Sequence, residues 1–420
     1  MKNNSIIYQI FLRTATKEGT IKAAKKLLGH IANLGVDIVY LCPICEADDD
    51  PREELWSPRQ RESGLGNPKN PYRIKDYFKI DEEYGADDDL KSFVKTAHRL
   101  GLKVILDLVY YHCGPNAVFI ENNPDFIKRL PDGSPDCGEW NFPKLNYECA
   151  ELCEYMWSNM EYFVREFDVD GYRCDVGDQV PLAFWREGRN RIERIKSDII
   201  MINEGVKDEA ISSGVFDANY YLWGFERGMG RLDEVIGGMT MPTKRIIAFE
   251  NHDTSSDAYD NRMEKQYGKN VCDAMLAVIF TMGNVPFIYN GNEIADSGRH
   301  SLWNNRFYGK NLCIDWSEAV TESGRERVSL IKKLAEIYHN FPAVNSGTIE
   351  IICYADDLIA YKRSYGKQTV IVAANLKRTG AELSMDSEGF EEIISNNVII
   401  ENCSDLTLGD GGFIVLCREI

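Results

Sequence analysis

The chain has 420 residues, of which 44% are hydrophobic and 27% are charged, and its formal net charge is −18. This length and composition predict a large domain with a sizeable core and a smaller accessory domain. The excess of acidic residues argues against nucleic acid or an anionic membrane as the partner, because both attract clustered lysine and arginine. The binding of a neutral ligand such as a sugar is unaffected by this charge.

The sequence has no run of about 18 apolar residues, so we expect no membrane span. Its first residues lead directly into a strand pattern, without the apolar segment and cleavage site of a secretory signal. If Met1 is the native start, we expect a cytoplasmic protein. Cys42 and Cys45 have the spacing of a metal or redox pair, but no second pair completes a zinc site. We therefore interpret them as small apolar residues and expect no metal.

Strand and helix patterns alternate along most of the chain. Apolar runs predict buried strands at residues 6–11, 36–41, 102–109, 171–174, 199–202, 216–220, 246–249 and 286–289. Apolar residues at helical spacing predict helices at residues 20–34, 88–100, 148–167, 181–196 and 271–282. About eight strand–helix units are typical of a closed parallel barrel. A doubly wound open sheet is the alternative, but no Gly-x-Gly-x-x-Gly follows the first strand.

Three stretches depart from this alternation. Residues 47–71 are polar and rich in proline, glycine and asparagine, which predicts a long loop, and residues 113–147 interrupt the pattern between a strand and a helix. After about residue 342 only short strand patterns remain, which predicts a small all-β domain. The predicted domains are a barrel at residues 1–112 and 148–341, an insertion at residues 113–147 and a β domain at residues 342–420.

Polar residues follow several of these apolar runs, in the segments 107–112, 171–175, 202–204 and 249–253. In a parallel barrel, catalytic side chains lie at the C-terminal ends of the strands, so these segments would meet at one end. They supply the acidic residues Asp175, Glu204 and Asp253, together with two histidines and an arginine. One carboxylate that attacks and one carboxylic acid that protonates the leaving oxygen are what the cleavage of a glycosidic bond requires.

These motifs, in this order, resemble the α-amylase family of retaining glycoside hydrolases. The similarity extends over essentially the whole chain, beginning at Tyr8-Gln-Ile-Phe11. Its other main motifs are Asn70-Pro-Tyr72, Asp170-Gly-Tyr-Arg-Cys-Asp175, Asn251-His-Asp253 and Pro286-Phe-Ile-Tyr-Asn-Gly-Asn-Glu293. The resemblance implies a (β/α)8 TIM barrel, a domain inserted after the third strand and a C-terminal β-sandwich. The inserted domain is short here.

The resemblance also implies roles for single residues. Asp175 would be the nucleophile, Glu204 the acid/base, and Asp253 the third carboxylate, which holds sugar hydroxyls in the transition state. The implied substrate-binding residues are Tyr72, Asp107, His112, Arg173 and His252, with the two histidines as hydrogen-bond donors to the sugar and Asp107 in a supporting position. Arg173 would lower the pKa of Asp175, whereas burial or the charges of Asp175 and Asp253 would keep a proton on Glu204.

The sequence differs from the family pattern at three points. Tyr111 stands where calcium-dependent members often have an asparagine ligand, and a phenol is a poor calcium ligand, so we expect no structural calcium. Ser256 stands where many members have an arginine. Val176, directly after Asp175, is of the residue type often seen in members that cleave α-1,6 bonds. No nucleotide, flavin or pyridoxal motif is present, so we also expect no organic cofactor.

The leading hypothesis is a hydrolase of α-glucosidic bonds, with α-1,4 bonds of malto-oligosaccharides or starch-derived glucans as the substrate. α-1,6-Glucosidase activity and glycosyl transfer are alternatives, because they use the same covalent intermediate. A sugar-binding protein that has lost activity is a further alternative. The presence of Asp175, Glu204, Asp253 and Arg173 together favours an enzyme.

Overall fold

Eight parallel strands close into a barrel in the computed structural model, which describes residues 1, 4–220, 236–237, 243–255, 262–310, 312–355, 357–402 and 404–419. The first ten strands are β1 (Ile7–Ile10), β2 (Ile38–Leu41), β3 (Cys45–Ala47), β4 (Ile74–Ile80), β5 (Lys103–Leu108), β6 (Gly171–Cys174), β7 (Ile200–Asn203), β8 (Ala218–Tyr220), β9 (Arg245–Ile247) and β10 (Val285–Tyr289). The barrel order is β1-β10-β9-β8-β7-β6-β5-β2. All eight strands of the predicted barrel are therefore present.

The strands β3 and β4 form a separate antiparallel pair beside the barrel. The sequence pattern did not predict this pair. It brackets the segment that we predicted as a long loop, and the structure adds a short helix, Pro58–Glu62, inside that loop. The pair and its loop stand between β2 and β5 in the chain.

Helices follow the barrel strands and pack their apolar faces against them. The helices of the described residues are Leu12–Ala15, Ile21–Ala24, Leu28–Asn33, Pro58–Glu62, Asp87–Arg99, Ala150–Phe167, Leu182–Glu193, Asp208–Ser212, Met263–Tyr267, Lys269–Thr281, Glu322–Asn340 and Pro342–Ser346. The helix Asp87–Arg99 shows why such segments form. Its first turn is acidic and its last turn is basic, which suits the helix dipole, and it buries four apolar side chains at helical spacing.

Gly171, at the start of β6, allows this strand to lie against β7. Its φ is +145°, and a Cβ atom built there would lie 1.9 Å from the carbonyl oxygen of Ile200. Any larger residue would push the two strands apart. The glycine therefore allows the close approach of β6 and β7, which are directly followed by Asp175 and Glu204, two of the acidic residues of the predicted site.

The C-terminal strands form an antiparallel β domain. They are β11 (Thr348–Ala355), β12 (Leu358–Tyr365), β13 (Gln368–Asn375), β14 (Ala381–Ser384), β15 (Glu391–Ile400) and β16 (Asp405–Glu419). The first half of β16 pairs with β14 and its second half pairs with β13. This folds the sheet so that Leu383 and Leu406 share a small apolar core with Leu358 and Ile371. The opposite face of β12, β13 and β16 joins the main core of the barrel.

The segment 113–147 between β5 and the next long helix has little regular structure. It contains a single turn of 3-10 helix, Pro124–Phe126, and isolated bridges such as Ile127 with Leu145. The predicted domain limits at residues 112, 147 and 341 stay predictions.

Within the part of the chain that the structure describes, no helix is long and apolar enough to cross a bilayer.

Candidate active site

Arg173, on β6, contacts three carboxyl groups at one end of the barrel. Its Nη1 donates to Asp107 Oδ1 at 2.7 Å and to Asp175 Oδ1 at 2.8 Å, and its Nη2 forms an ion pair with Glu204 Oε1 at 2.8 Å. The pairing of β6 with β5 places Arg173 beside Asp107. Asp175 and Glu204 each directly follow the last residue of neighbouring strands, so they emerge side by side.

Asp175, Glu204 and Asp253 line one pocket, which has a volume of about 150 Å³. Its aromatic walls come from Tyr72, His112, Trp140, Phe142 and Trp303. Flat aromatic side chains with a few convergent polar groups are suited to binding a small amphipathic ring such as a sugar. The pocket therefore combines an acidic centre with surfaces on which a sugar can pack.

Tyr72 and His252 connect Asp107 with Asp253. The Tyr72 hydroxyl donates to Asp107 Oδ2 at 3.0 Å and lies 2.6 Å from His252 Nε2, and the two rings are stacked with their centroids 5.5 Å apart. His252 Nε2 lies 3.3 Å from Asp253 Oδ2. Of the five predicted substrate-binding residues, Tyr72 and His112 line the pocket, whereas Asp107, Arg173 and His252 lie behind the lining.

Gln9 determines which nitrogen of His252 carries the proton. Its Oε1 accepts from the backbone N–H of His252 at 3.2 Å, so its Nε2 is the donor that lies 2.7 Å from His252 Nδ1. Nδ1 is therefore an acceptor, and the proton of the neutral ring lies on Nε2, toward Tyr72 and Asp253. Burial lowers the pKa of His252, which favours this neutral form.

The three acidic residues have different protonation behaviour. Burial would raise the pKa of Asp253, but its neighbours His252 and Arg59 hold this pKa well below its usual range. Burial raises the pKa of Glu204, Arg173 opposes the rise, and the charge of Asp253 adds to it. Asp253 is thus ionised at neutral pH, while Glu204 holds its proton more tightly than a free glutamic acid.

The pKa of Asp175 differs from our expectation. Burial raises it most, and Arg173 lowers it as predicted, but the rise prevails, with Glu204 and Asp107 adding to it. Only 6% of Asp175 is exposed, so the desolvation of the carboxylate outweighs the neighbouring guanidinium in the ligand-free protein. Asp175 and Glu204 therefore form a pair in which one carboxyl group can be ionised while the other retains a proton.

Val176 has a backbone conformation that is unusual for its residue type. Its φ is +45°, in the left-handed region, which a β-branched residue rarely adopts. In this conformation its N–H donates to Glu204 Oε2 at 2.7 Å. The strained turn after Asp175 therefore positions the neighbouring carboxyl group, a pattern that is common at active sites.

His112 is buried in its neutral form. Its Nε2 lies 3.0 Å from the carbonyl oxygen of Tyr72, which can only accept, so Nε2 carries the proton. Nδ1 is then an acceptor, and it has no hydrogen-bond partner among the described residues. From the family resemblance we expected a donor to the sugar at this position. The geometry instead offers a ring nitrogen that accepts from a hydroxyl group.

Because His112 is buried in its neutral form, we expect the folded protein to lose stability in acid. Burial lowers its pKa from 6.5 to about 4, so the unfolded chain binds a proton that the folded protein excludes between these values. The stability contribution of the neutral ring is complete above pH 6.5 and falls as the pH decreases toward 4. We expect this residue to account for about 2 kcal/mol of lost unfolding free energy between about pH 7 and about pH 5.

Urea denaturation of the wild type and of the His112→Asn variant at both pH values measures this effect. The variant should be less stable at neutral pH but should lose about 2 kcal/mol less than the wild type on acidification. Equal losses in the two proteins would show that another group is responsible.

Two contacts of the site were not predicted from the sequence. The Tyr40 hydroxyl donates to Asp107 Oδ2 at 2.5 Å, and Arg59 donates to Asp253 Oδ1 at 2.7 Å. Tyr40 lies on β2 and points into the barrel, and a polar-tipped residue near a strand end was a signal that could have been used. Arg59 belongs to the predicted long loop, and no local pattern connects it with Asp253. Ser256 lies outside the described residues.

Tyr111, which stands where calcium-dependent members often have an asparagine ligand, does not offer a good ligand for calcium. The ring of Tyr111 packs edge-on against the rings of His112 and Trp140 instead of presenting an oxygen ligand. Nearby, the ammonium group of Lys144 pairs with Asp136 at 3.1 Å. Among the described residues, no group of three or more His, Cys, Asp or Glu side chains could hold a metal ion.

We therefore expect a chelator to leave the stability of the protein unchanged. A thermal unfolding midpoint that is the same with and without EDTA would support this prediction, whereas a large decrease that added calcium reverses would overturn it. The comparison should be made on protein that has not been treated with chelator during purification, because a tightly held ion stabilises the folded state by mass action.

Three comparisons with known proteins are consistent with this structure. The family described as "Alpha amylase, catalytic domain" matches residues 6–129. The maltogenic alpha-amylase of Bacillus acidopullulyticus is 24% identical, over 95% of this chain and 70% of its own length. The cyclomaltodextrinase of a Bacillus species is 26% identical, over 87% of this chain and 67% of its own length.

The solved structure of a maltogenic alpha-amylase from Thermotoga neapolitana has a TM-score of 0.79 and is 25% identical, covering 100% of this chain and 99% of that one. The closed barrel, its C-terminal β domain and the acidic pocket at the strand ends define a (β/α)8 glycoside hydrolase. With the family match and these relatives, the resemblance seen in the sequence is confirmed. The chain resembles the α-amylase family, whose catalytic-domain model matches residues 6–129, and it is an α-amylase-type glycoside hydrolase.

Proposed function

We propose that the chain hydrolyses the α-1,4 bonds of malto-oligosaccharides or starch-derived glucans by a retaining two-carboxylate mechanism. The observation that carries this proposal is the contact of one guanidinium, that of Arg173, with both Asp175 and Glu204, in a pocket that Asp253 also lines. A pair of neighbouring carboxyl groups is the equipment of a retaining glycosidase. The names of the relatives, a maltogenic amylase and a cyclomaltodextrinase, support this substrate class.

In the first step Asp175 attacks the anomeric carbon while Glu204 protonates the glycosidic oxygen. The bond between the anomeric carbon and this oxygen breaks, the shortened glucan leaves, and the sugar remains joined to Asp175 as an ester. Because its pKa is raised, Glu204 can still carry this proton near neutral pH. Arg173 can stabilise the ionised form of Asp175 before the attack, because its Nη1 donates directly to Oδ1.

In the second step Glu204, now ionised, removes a proton from a water molecule that attacks the same carbon. The ester to Asp175 breaks, and the sugar is released with its original anomeric configuration. A sugar hydroxyl that takes the place of water would give transfer instead of hydrolysis. Val176 N–H keeps Glu204 in position for both steps, since it donates to Oε2.

The remaining residues hold the sugar. Asp253 is ionised, and its carboxylate oxygens can accept hydrogen bonds from two hydroxyl groups, which become stronger as positive charge develops on the sugar ring. Tyr72 offers an aromatic surface, and His112 offers Nδ1 as an acceptor. All of these groups suit an uncharged polyhydroxy ligand.

The test is to incubate the protein with maltoheptaose and separate the products by chromatography, with Asp175→Ala as the control. We expect shorter maltodextrins from the wild type only, and longer products would reveal transfer. Parallel incubation with an α-1,6-linked oligosaccharide distinguishes the alternative linkage. If the wild type binds maltoheptaose but releases no sugar from either substrate, a sugar-binding function replaces this proposal.

The predicted cytoplasmic location would be checked by cell fractionation.

A further inference from the structure

Arg59 extends from the loop between β3 and β4 into the pocket. It holds Asp253 at two points, because Nη1 donates to Oδ1 at 2.7 Å and Nη2 donates to the backbone carbonyl oxygen at 2.6 Å. Its guanidinium carbon also lies 5.7 Å from the centre of the Trp303 ring. Arg59 thus contacts both the side chain and the main chain of one acidic residue of the pocket.

The loop that carries Arg59 is fixed by buried polar contacts. Gln60 donates to the carbonyl oxygens of Asn67 and Pro68 at 3.0 and 3.1 Å, and Asn67 donates to the carbonyl oxygen of Trp303 at 2.9 Å. The buried Arg73 donates to four carbonyl oxygens of the same segment, one of which is again that of Pro68. The side chains of Gln60, Asn67 and Arg73 thus hold this loop by contacts that do not involve Arg59.

The pair of Arg59 and Asp253 contributes little to stability. The side chains are 37% and 39% exposed, and ion pairs at this level of exposure are weak because water screens them. Ordering a long arginine side chain also costs conformational entropy. A function in the pocket therefore accounts for this arrangement better than a role in folding.

We propose that Arg59 is a positioning residue for the reaction, which orients the Asp253 carboxylate toward the sugar hydroxyls. This inference rests on the proposed function. Each carboxylate oxygen has two lone pairs, so the hydrogen bond from Arg59 to Oδ1 leaves a second lone pair that can accept from a hydroxyl group. The second bond, to the backbone carbonyl oxygen, fixes the main chain of Asp253 as well. Arg59 therefore holds this residue without occupying all of its acceptor positions.

The other charged groups around Asp253 cannot replace Arg59. His252 faces Oδ2, at 3.3 Å, and its burial favours the neutral ring. Arg173 also acts on Asp253 electrostatically, but the contacts of its guanidinium are with Asp107, Asp175 and Glu204. Glu204 is itself acidic and repels it. Arg59 is thus the cation in direct contact with Oδ1 in the part of the chain that the structure describes.

The test compares Arg59→Gln and Arg59→Lys with Arg61→Gln, a control in the same short helix whose side chain is exposed. The rate constant kcat/KM is measured with a 4-nitrophenyl malto-oligoside, which allows low activities to be followed. We expect Arg59→Gln to lower kcat/KM by about 10- to 100-fold, which is the effect of losing a hydrogen bond to a charged group. Arg59→Lys should recover part of this loss, and Arg61→Gln should equal the wild type.

A double-mutant cycle with Asp253→Asn shows whether Arg59 acts through Asp253. If it does, Arg59→Gln lowers the activity of the wild type but changes that of Asp253→Asn by less than about twofold. An equal decrease in both backgrounds, or wild-type kcat/KM in Arg59→Gln, would overturn the inference while leaving the proposed function intact. If the wild-type protein had no activity on either the malto-oligoside or maltoheptaose, the proposed function would be contradicted. The inference about Arg59 would then fail as well.

Discussion

We expect the Asp175→Asn variant to hydrolyse maltoheptaose at least about 10⁴-fold more slowly than the wild type, because an amide cannot form the covalent bond to the sugar. The substitution keeps the shape of the side chain and one oxygen for Arg173 Nη1. The free energy of unfolding should therefore change much less than the rate. Steady-state kinetics and urea denaturation on the same preparation separate the two effects.

Glu204→Gln is the matched comparison for this variant. Without an acid, kcat on maltoheptaose should fall by about 10²- to 10⁴-fold. On a 4-nitrophenyl malto-oligoside the first step should be much less affected, because this leaving group departs without a proton. Asp175→Asn should be slow on both substrates. Asp175 would not be the nucleophile if Asp175→Asn regained its rate on the 4-nitrophenyl substrate as Glu204→Gln does. The same conclusion would follow if Asp175→Asn hydrolysed maltoheptaose with the kcat of the wild type.

Replacing Arg173 by methionine should lower the free energy of unfolding by about 3–5 kcal/mol at neutral pH, in addition to abolishing activity. Arg173 is 1% exposed and forms ion pairs with Asp107, Asp175 and Glu204. Without it, these carboxyl groups lose their shared positive partner inside the protein. The pKa values of Asp175 and Glu204 in the folded state, which burial already raises, should rise further. The destabilisation should therefore be largest at neutral pH and decrease as the pH falls and these two groups bind protons.

Urea denaturation of Arg173→Met at neutral and mildly acidic pH measures this effect. Arg165→Gln is a suitable control, because Arg165 pairs with Glu161 on the surface and is 59% exposed. Its removal should change the stability little at either pH. A wild-type denaturation midpoint for Arg173→Met at neutral pH would contradict the central position that we assign to this residue.

The barrel could be predicted from the sequence because its strands are buried on both sides. Such strands appear as continuous apolar runs, and the run at residues 286–289 lies within β10. The β3–β4 pair was not predicted, because β3 has only three residues and its register with β4 is irregular. In the β domain, β16 has 15 residues. The sequence did not predict this length, because glycines within the strand interrupt its apolar pattern.

The acidic centre of the site could also be predicted, because strand ends and family motifs identify Asp175, Glu204 and Asp253. The contribution of Arg59 could not, because it depends on how a loop folds back over the barrel, and 194 residues separate it from Asp253. The protonation of Asp175 was predicted in part. Sequence shows the neighbouring Arg173, but the opposing and larger effect of burial depends on three-dimensional packing.

In the proposed mechanism, Asp175 becomes covalently joined to the sugar. The most direct measurement is to treat the protein with a fluorinated glucosyl fluoride, whose ring fluorine slows the second step, and to identify the labelled peptide by mass spectrometry. We predict the mass of one sugar residue on Asp175, and no label in the Asp175→Asn variant. A label on Glu204 or on another residue would contradict the account, as would maltoheptaose hydrolysis that proceeds with inversion at the anomeric carbon.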